Sequence, residues 1–261
     1  MSKLEGFVME DFLKNDFDNS NYALSILREK NYWVHFSILE NYYTDFFRND
    51  DKDLSGSHVK MALLHFLGGC SLNLVKGTAR VMAGHSTDSS IYVRRTVESI
   101  RYAVYLREFP TMAEIWFNAE EKQEFEKKFR SWFHKSGKQI IEKEVPQSEY
   151  HFKHASNFGL HSNAELFSQQ HFVTIKDKKM SFKVVFHEME LGTIGYHQLL
   201  IAYFWHLRIH FVTIDWWIKK SKFINQLNTE QIQFWSDCKT NFYRDDASMK
   251  KLVISGPLNT G

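Results

Sequence analysis

One short stretch of the chain gathers residue types that proton transfer and phosphate binding use: Tyr150, His154, Ser156, Asn157, His161 and Asn163. On a helix turning about 100° per residue, Tyr150, His154, Asn157, His161 and Glu165 form one polar stripe, while Phe152, Ala155, Gly159 and Leu166 occupy another face. A solvent face usually carries long Lys and Glu side chains. Short hydrogen-bonding groups beside Gly159 instead point to close packing against a second helix or a ligand. The ordinary alternative is a satisfied interhelical hydrogen-bond network.

A second helix, residues 89–107, carries the complementary charge. Val93, Val97, Ile100 and Val104 make its core stripe, and Arg94, Glu98, Arg101 and Tyr105 fall within a narrow arc opposite, with Arg95 beside Glu98. Guanidinium forks match phosphate oxygens, and a carboxylate among them can hold one fork in position, so this face reads as a phosphate or nucleotide platform. The competing reading is a solvated face of intrahelical ion pairs.

The remaining candidates are weaker. His151 and His154 stand three apart and His206 and His210 four apart, spacings that suit ligation from one helix face. With 13 His in the chain such pairs arise by chance, and no Cys pair or HExxH run reinforces them. Neither a metal nor another cofactor is expected, and both pairs read as core histidines. Gly-rich phosphate loops, nucleophile elbows and kinase motifs are absent from the sequence. Gly68, Gly69 and Cys70 lie within a helix-like run and read as a close-packing surface.

The elements that must position these residues are helical. Three Pro and 12 Gly in 261 residues fall well below average usage, which favours long helices over sandwich or repeat-turn folds. We expect an all-α bundle of about seven or eight helices, at roughly 20–48, 56–83, 86–107, 111–134, 138–145, 148–168, 191–220 and 228–243. Breaks are marked by Gly84, with Ser86, Thr87 or Asp88 as caps, and by Pro110 with a Thr111/Glu114 capping box. A β-hairpin is expected near 171–187, where β-branched and aromatic residues flank a polar reversal. Residues 191–218 are apolar enough to form the central helix, and their interspersed His, Arg and Asp argue against a membrane span. No Pro-, Gly- or Ser-rich linker divides the chain, so residues 1–245 read as one domain and 246–261 as a mobile tail.

Composition also restricts partners. With 33 basic against 31 acidic residues there is no one-signed field to announce DNA or a membrane surface. Two cysteines far apart in sequence make no disulfide framework, and the first turns lack the order of a signal peptide, so a cytoplasmic location is expected.

The run from Gly84 to Glu98 followed by Tyr150 and Ser156-Asn157-Phe-Gly-Leu-His161-Ser-Asn163 resembles bacterial helical proteins of unknown function allied to the HEPN superfamily, over roughly residues 60–220. The resemblance implies an α-helical, often dimeric protein that binds RNA or a nucleotide, or cleaves RNA without a metal in a toxin or phage-defence setting. It implies His161 as acid or base with Asn157 orienting it. Ser156 stands where the family carries Arg, so Arg95 or Arg94 from the neighbouring helix would supply the guanidinium that stabilises the phosphorane. Arg94, Glu98, Arg101, Tyr150, His154, Ser156 and Asn163 would then contact substrate. The alternative from a different class is a non-catalytic, dimerising interaction module with a degenerate motif.

Overall fold

The computed structural model describes residues 9–50, 57–159, 171–176, 179–184, 195–220 and 228–255. Its first two helices are α1 (Met9–Glu29) and α2 (Trp33–Asp50), where the periodicity predicts a single helix. The break lies at Asn31, whose φ of 59° is left-handed, a region asparagine tolerates. Tyr32 N donates to Leu27 O at 2.7 Å and Asn31 N to Arg28 O at 3.0 Å, the paired bonds of a Schellman cap. The same device ends α3 (His58–Met82): Gly84 has φ 91°, His85 N donates to Arg80 O and Gly84 N to Val81 O.

α4 (Ser86–Glu108) follows, with His85 at its N-cap and no side-chain cap bond. The Thr111/Glu114 box likewise makes no side-chain cap bond at α5 (Met112–Phe117). Asn118 accepts from Glu120 N and starts a 3-10 turn, so the helix predicted over 111–134 divides into α5 and α6 (Lys122–Trp132). A π-turn, Phe133–Gly137, leads into α7 (Lys138–Glu144), which is followed by α8 (Ser148–Gly159). Strands β1 (His171–Lys176) and β2 (Lys179–Val184) pair antiparallel, in register from His171 opposite Val184 to Lys176 opposite Lys179. The last elements are α9 (Gly195–Lys220) and α10 (Thr229–Ser255).

α9 occupies the centre, packing on α2, α3, α4 and α10. Leu200, Tyr203, Phe204, Leu207, Phe211 and Ile214 are buried along it, as a helix apolar on nearly every side requires. No helix among the described residues is long and apolar enough to cross a membrane.

α10 corrects the expectation of a tail from residue 246. Trp235, Cys238, Phe242, Asp246 and Met249 are all buried and recur every three or four residues, so one face of the helix continues past 245. A charged residue interrupts the apolar stripe at 246. Arg208 of α9 answers it, its Nη2 donating to Asp246 Oδ1 and Oδ2 at 2.6 and 2.7 Å.

Candidate functional site on α4 and α8

The arginine arc of α4 is not a free face. Arg101 is buried, with Nη2 donating to Glu149 Oε2 at 2.8 Å and its guanidinium 4.0 Å from the Phe152 ring centroid and 5.0 Å from that of Phe133. Burial holds its pKa below the ordinary arginine value, against the opposing pull of Glu149, Glu98 and Glu142. Its role as a substrate contact is therefore corrected: Arg101 clamps α4 to α8 and to the π-turn. Arg94 donates from Nε to Glu98 at 3.0 Å and lies 5.0 Å from the Phe152 centroid, half-exposed. Tyr105, in the same arc, is buried among Phe109, Phe125, Phe129 and Trp132. A single wheel assigns one core face to a helix, but α4 is covered on two. Only Arg95 is exposed among the three arginines at 94, 95 and 101.

α8 begins under a carboxylate cap. Glu142 accepts from Gln147 N at 2.6 Å, Glu149 N at 3.1 Å and Ser148 Oγ at 3.0 Å, satisfying donors that a helix start leaves open. Its inner side carries His151 and Ala155; Ala155 joins Val93 and Val97 of α4 and Ile209 of α9 in a small apolar cluster bordered by Phe152 and Trp205. Tyr150 is exposed and stacks on His154, with ring centroids 5.6 Å apart and planes 14° from parallel. His154 then meets Trp205 edge-on at 5.1 Å.

Phe152 and His154 lie about 200° apart around α8. Phe152 is covered by Arg94 and Arg101, His154 by Trp205, so these arginines and this histidine stand on opposite flanks of one helix. Asn157 is exposed; the Ser156 hydroxyl is buried and has no hydrogen-bond partner among the described residues. His161 and Asn163 lie outside the described residues, as does any relation of Arg95 to His161.

The charge that does gather is on the edge shared by α7 and α8. Glu149 holds three cations: Arg101 at 2.8 Å, Lys138 at 3.3 Å and Lys153 at 3.7 Å. Lys138 and Lys153 expose 53% and 68% of their side chains, and the exposed Tyr150 follows Glu149 on α8.

No family model, curated protein or solved structure matches this chain.

The site is therefore read from its own residues, and three of them escaped the sequence. Glu149, Lys138 and Lys153 had one visible signal, the Glu149/Lys153 spacing of four. The histidine pair of α9 is internal: His206 Nε2 lies 3.2 Å from the Leu74 carbonyl, and His210 Nδ1 shares a 3.0 Å hydrogen bond with the Tyr43 hydroxyl. Burial lowers His206 to about 4 and pushes His210 well below its ordinary value. Among the described residues no group of three His, Cys, Asp or Glu side chains is placed to hold a metal ion.

Proposed function

We propose that this chain, allied to the HEPN-like proteins it resembles, binds RNA along the α7–α8 edge. The observation that carries the reading is Glu149 with its three cations, two of them the exposed ammonium groups of Lys138 and Lys153, on the helix that also exposes Tyr150. Phosphate oxygens can take over the Lys138 and Lys153 ammonium groups from Glu149, whose remaining charge stays matched by buried Arg101. Tyr150 offers a face on which a base stacks, and stacking is tolerant of sequence. Arg95 and Arg94, with Glu98, would extend phosphate contact along α4.

Cleavage is the narrower part of the proposal. In it His161 acts as acid or base on the ribose 2′-hydroxyl, Asn157 orients it and Arg95 stabilises the phosphorane, with no metal. His154, packed on Trp205, and Ser156, whose hydroxyl is buried, stand outside this contact. A cytoplasmic protein in a toxin or defence setting fits this chemistry, and free Cys70 and Cys238 accord with a reducing compartment.

Fluorescence anisotropy with a labelled single-stranded oligoribonucleotide tests binding. Tyr150→Ala should weaken it by roughly 5- to 100-fold, as loss of one stacked base does; unchanged affinity overturns the assignment. RNA cut without added metal by the wild type and left intact by His161→Ala would establish the catalytic half.

The second reading is a non-catalytic dimerising module. Its support is that Arg101 and Arg94 are already engaged within the chain while Tyr150 is exposed. It requires sedimentation to show a concentration-dependent dimer that Tyr150→Ala disrupts, with no affinity for RNA.

A further inference from the structure

Buried polar groups in folded proteins nearly always find partners, and one that does not calls for a physical account. His151 is fully buried on α8, and among the described residues neither of its ring nitrogens has a hydrogen-bond partner. His206 Nδ1 and His210 Nε2 on α9 are open in the same way. The titratable and charged groups acting on His151 are Arg208 of α9 and His154 of its own helix, and those on His210 are His206 and His151. α2 presents the Tyr43 hydroxyl to His210, and α3 presents the Leu74 carbonyl and Gly77 to His206. α4 presents apolar Val93 and Val97 to Ala155, and its Arg94 and Arg101 lie over Phe152. Among the described residues no carboxylate acts on any of the three imidazoles.

Among the described residues a proton placed on His151 finds no carboxylate of its own and meets Arg208, whose partner Asp246 is already engaged on the α10 side. His206 and His210 cannot escape that situation without dismantling the bundle, because α9 is its central helix. α8 can. It is short, and a small apolar cluster separate from the main core joins it to α9, while Arg101 and the Glu142 cap tie it to α4 and α7. We propose that His151 is a proton-operated latch, and that acidification releases α8 from α9 by letting this imidazole reach water.

The sign follows from linkage. Burial first, then Arg208 and His154, depress the His151 pKa from 6.5 to about 3 in the packed state. In the opened state the imidazole titrates normally, so the closed form is fully favoured above 6.5 and loses ground steadily as the pH falls below it. Release would also dismantle the α7–α8 edge, but the latch does not depend on what that edge binds.

Hydrogen exchange of the full chain, corrected for the chemical rate at each pH, tests the latch without any ligand. Amides of residues 148–159 should show an opening constant about 25-fold larger at pH 5 than at pH 7, following from the two pKa values above, ahead of residues 58–82 and 195–220. In His151→Leu the rise should fall below about 2-fold, and His151→Gln gives the same test while keeping a polar group, should the first variant fold poorly. An unchanged wild-type opening, a full rise in both variants, or simultaneous opening of all three segments overturns the proposal. None of these outcomes bears on RNA binding.

Discussion

Arg101 lies with its guanidinium carbon 4.0 Å from the centroid of the Phe152 ring, covered by α8 where a substrate contact was expected. One side chain thereby joins α4 to α8 through a ring contact and an ion pair with Glu149. Arg101→Met should cost roughly 1.5–3 kcal/mol, because it removes the buried charge-assisted hydrogen bond to Glu149 and leaves only the longer contacts of exposed Lys138 and Lys153. Arg101→Lys should recover only part of this, since an ammonium neither stacks nor forks in the same way. Denaturant midpoints of the three proteins provide the comparison, and wild-type stability in Arg101→Met would show that the clamp carries no weight.

A second prediction concerns how closely α3 approaches α9. A methyl group at Gly77 would overlap the His206 ring, which offers no flexible end to move aside. Gly77→Ala should therefore destabilise by about 1–3 kcal/mol, the usual cost of overpacking. In a His206→Ala background the same substitution should cost much less, a coupling that a double-mutant cycle measures. Equal costs in both backgrounds would place the strain elsewhere.

How much of this was legible beforehand depended on what each residue had to signal. Gly84 marks its break openly because a left-handed residue at a helix end is most often glycine, and φ is 91° there. Asn31 does the same work invisibly, as asparagine is an ordinary residue on a helix surface. The central position of α9 could be read because it is apolar all round. The continuation of α10 could not, because Asp246 interrupts its buried stripe and the partner that makes this tolerable, Arg208, is distant in sequence. The α8 stripe was read as continuous and polar, yet its members divide: Tyr150 and Asn157 are exposed while His154 packs on Trp205. Amphipathic patterns report one preferred face: it includes Val93 and Val97, which meet Ala155 of α8, but not Arg101, which Phe152 covers.

The Arg208–Asp246 pair makes a third prediction. Both side chains are largely buried, and Asp246→Ala strands a guanidinium between α9 and α10. A loss of about 3 kcal/mol is expected. Arg208→Met with Asp246→Leu together should recover much of it, as apolar replacement of a buried pair often does. Calorimetric or denaturant unfolding of the single and double variants measures this, and a double variant no better than Asp246→Ala contradicts it.

Asp215 supplies a pH prediction with the opposite sign to that of His151. Burial pushes its pKa up, but hydrogen bonds from Lys239, Lys219 and the Trp235 indole outweigh this and hold it below the ordinary value. Its contribution is present above about pH 4, the unfolded value, and is lost as pH falls through the depressed native one. Asp215→Asn should be less stable than wild type at pH 7, and the difference should shrink below pH 4. A gap independent of pH would mean that the charge is not what joins α9 to α10.

The proposed role of the α7–α8 edge meets its most direct test in the salt dependence of RNA affinity. For wild type, the logarithm of the association constant of a labelled single-stranded oligoribonucleotide should fall linearly with the logarithm of salt concentration. Replacing Lys138 and Lys153 together by Ala should flatten that slope by roughly 1.4, two single-strand phosphate contacts at about 0.7 each. Tyr150→Ala should lower affinity without altering the slope. An absence of salt-dependent binding, or a double variant with the wild-type slope, would contradict the assignment of this edge to RNA.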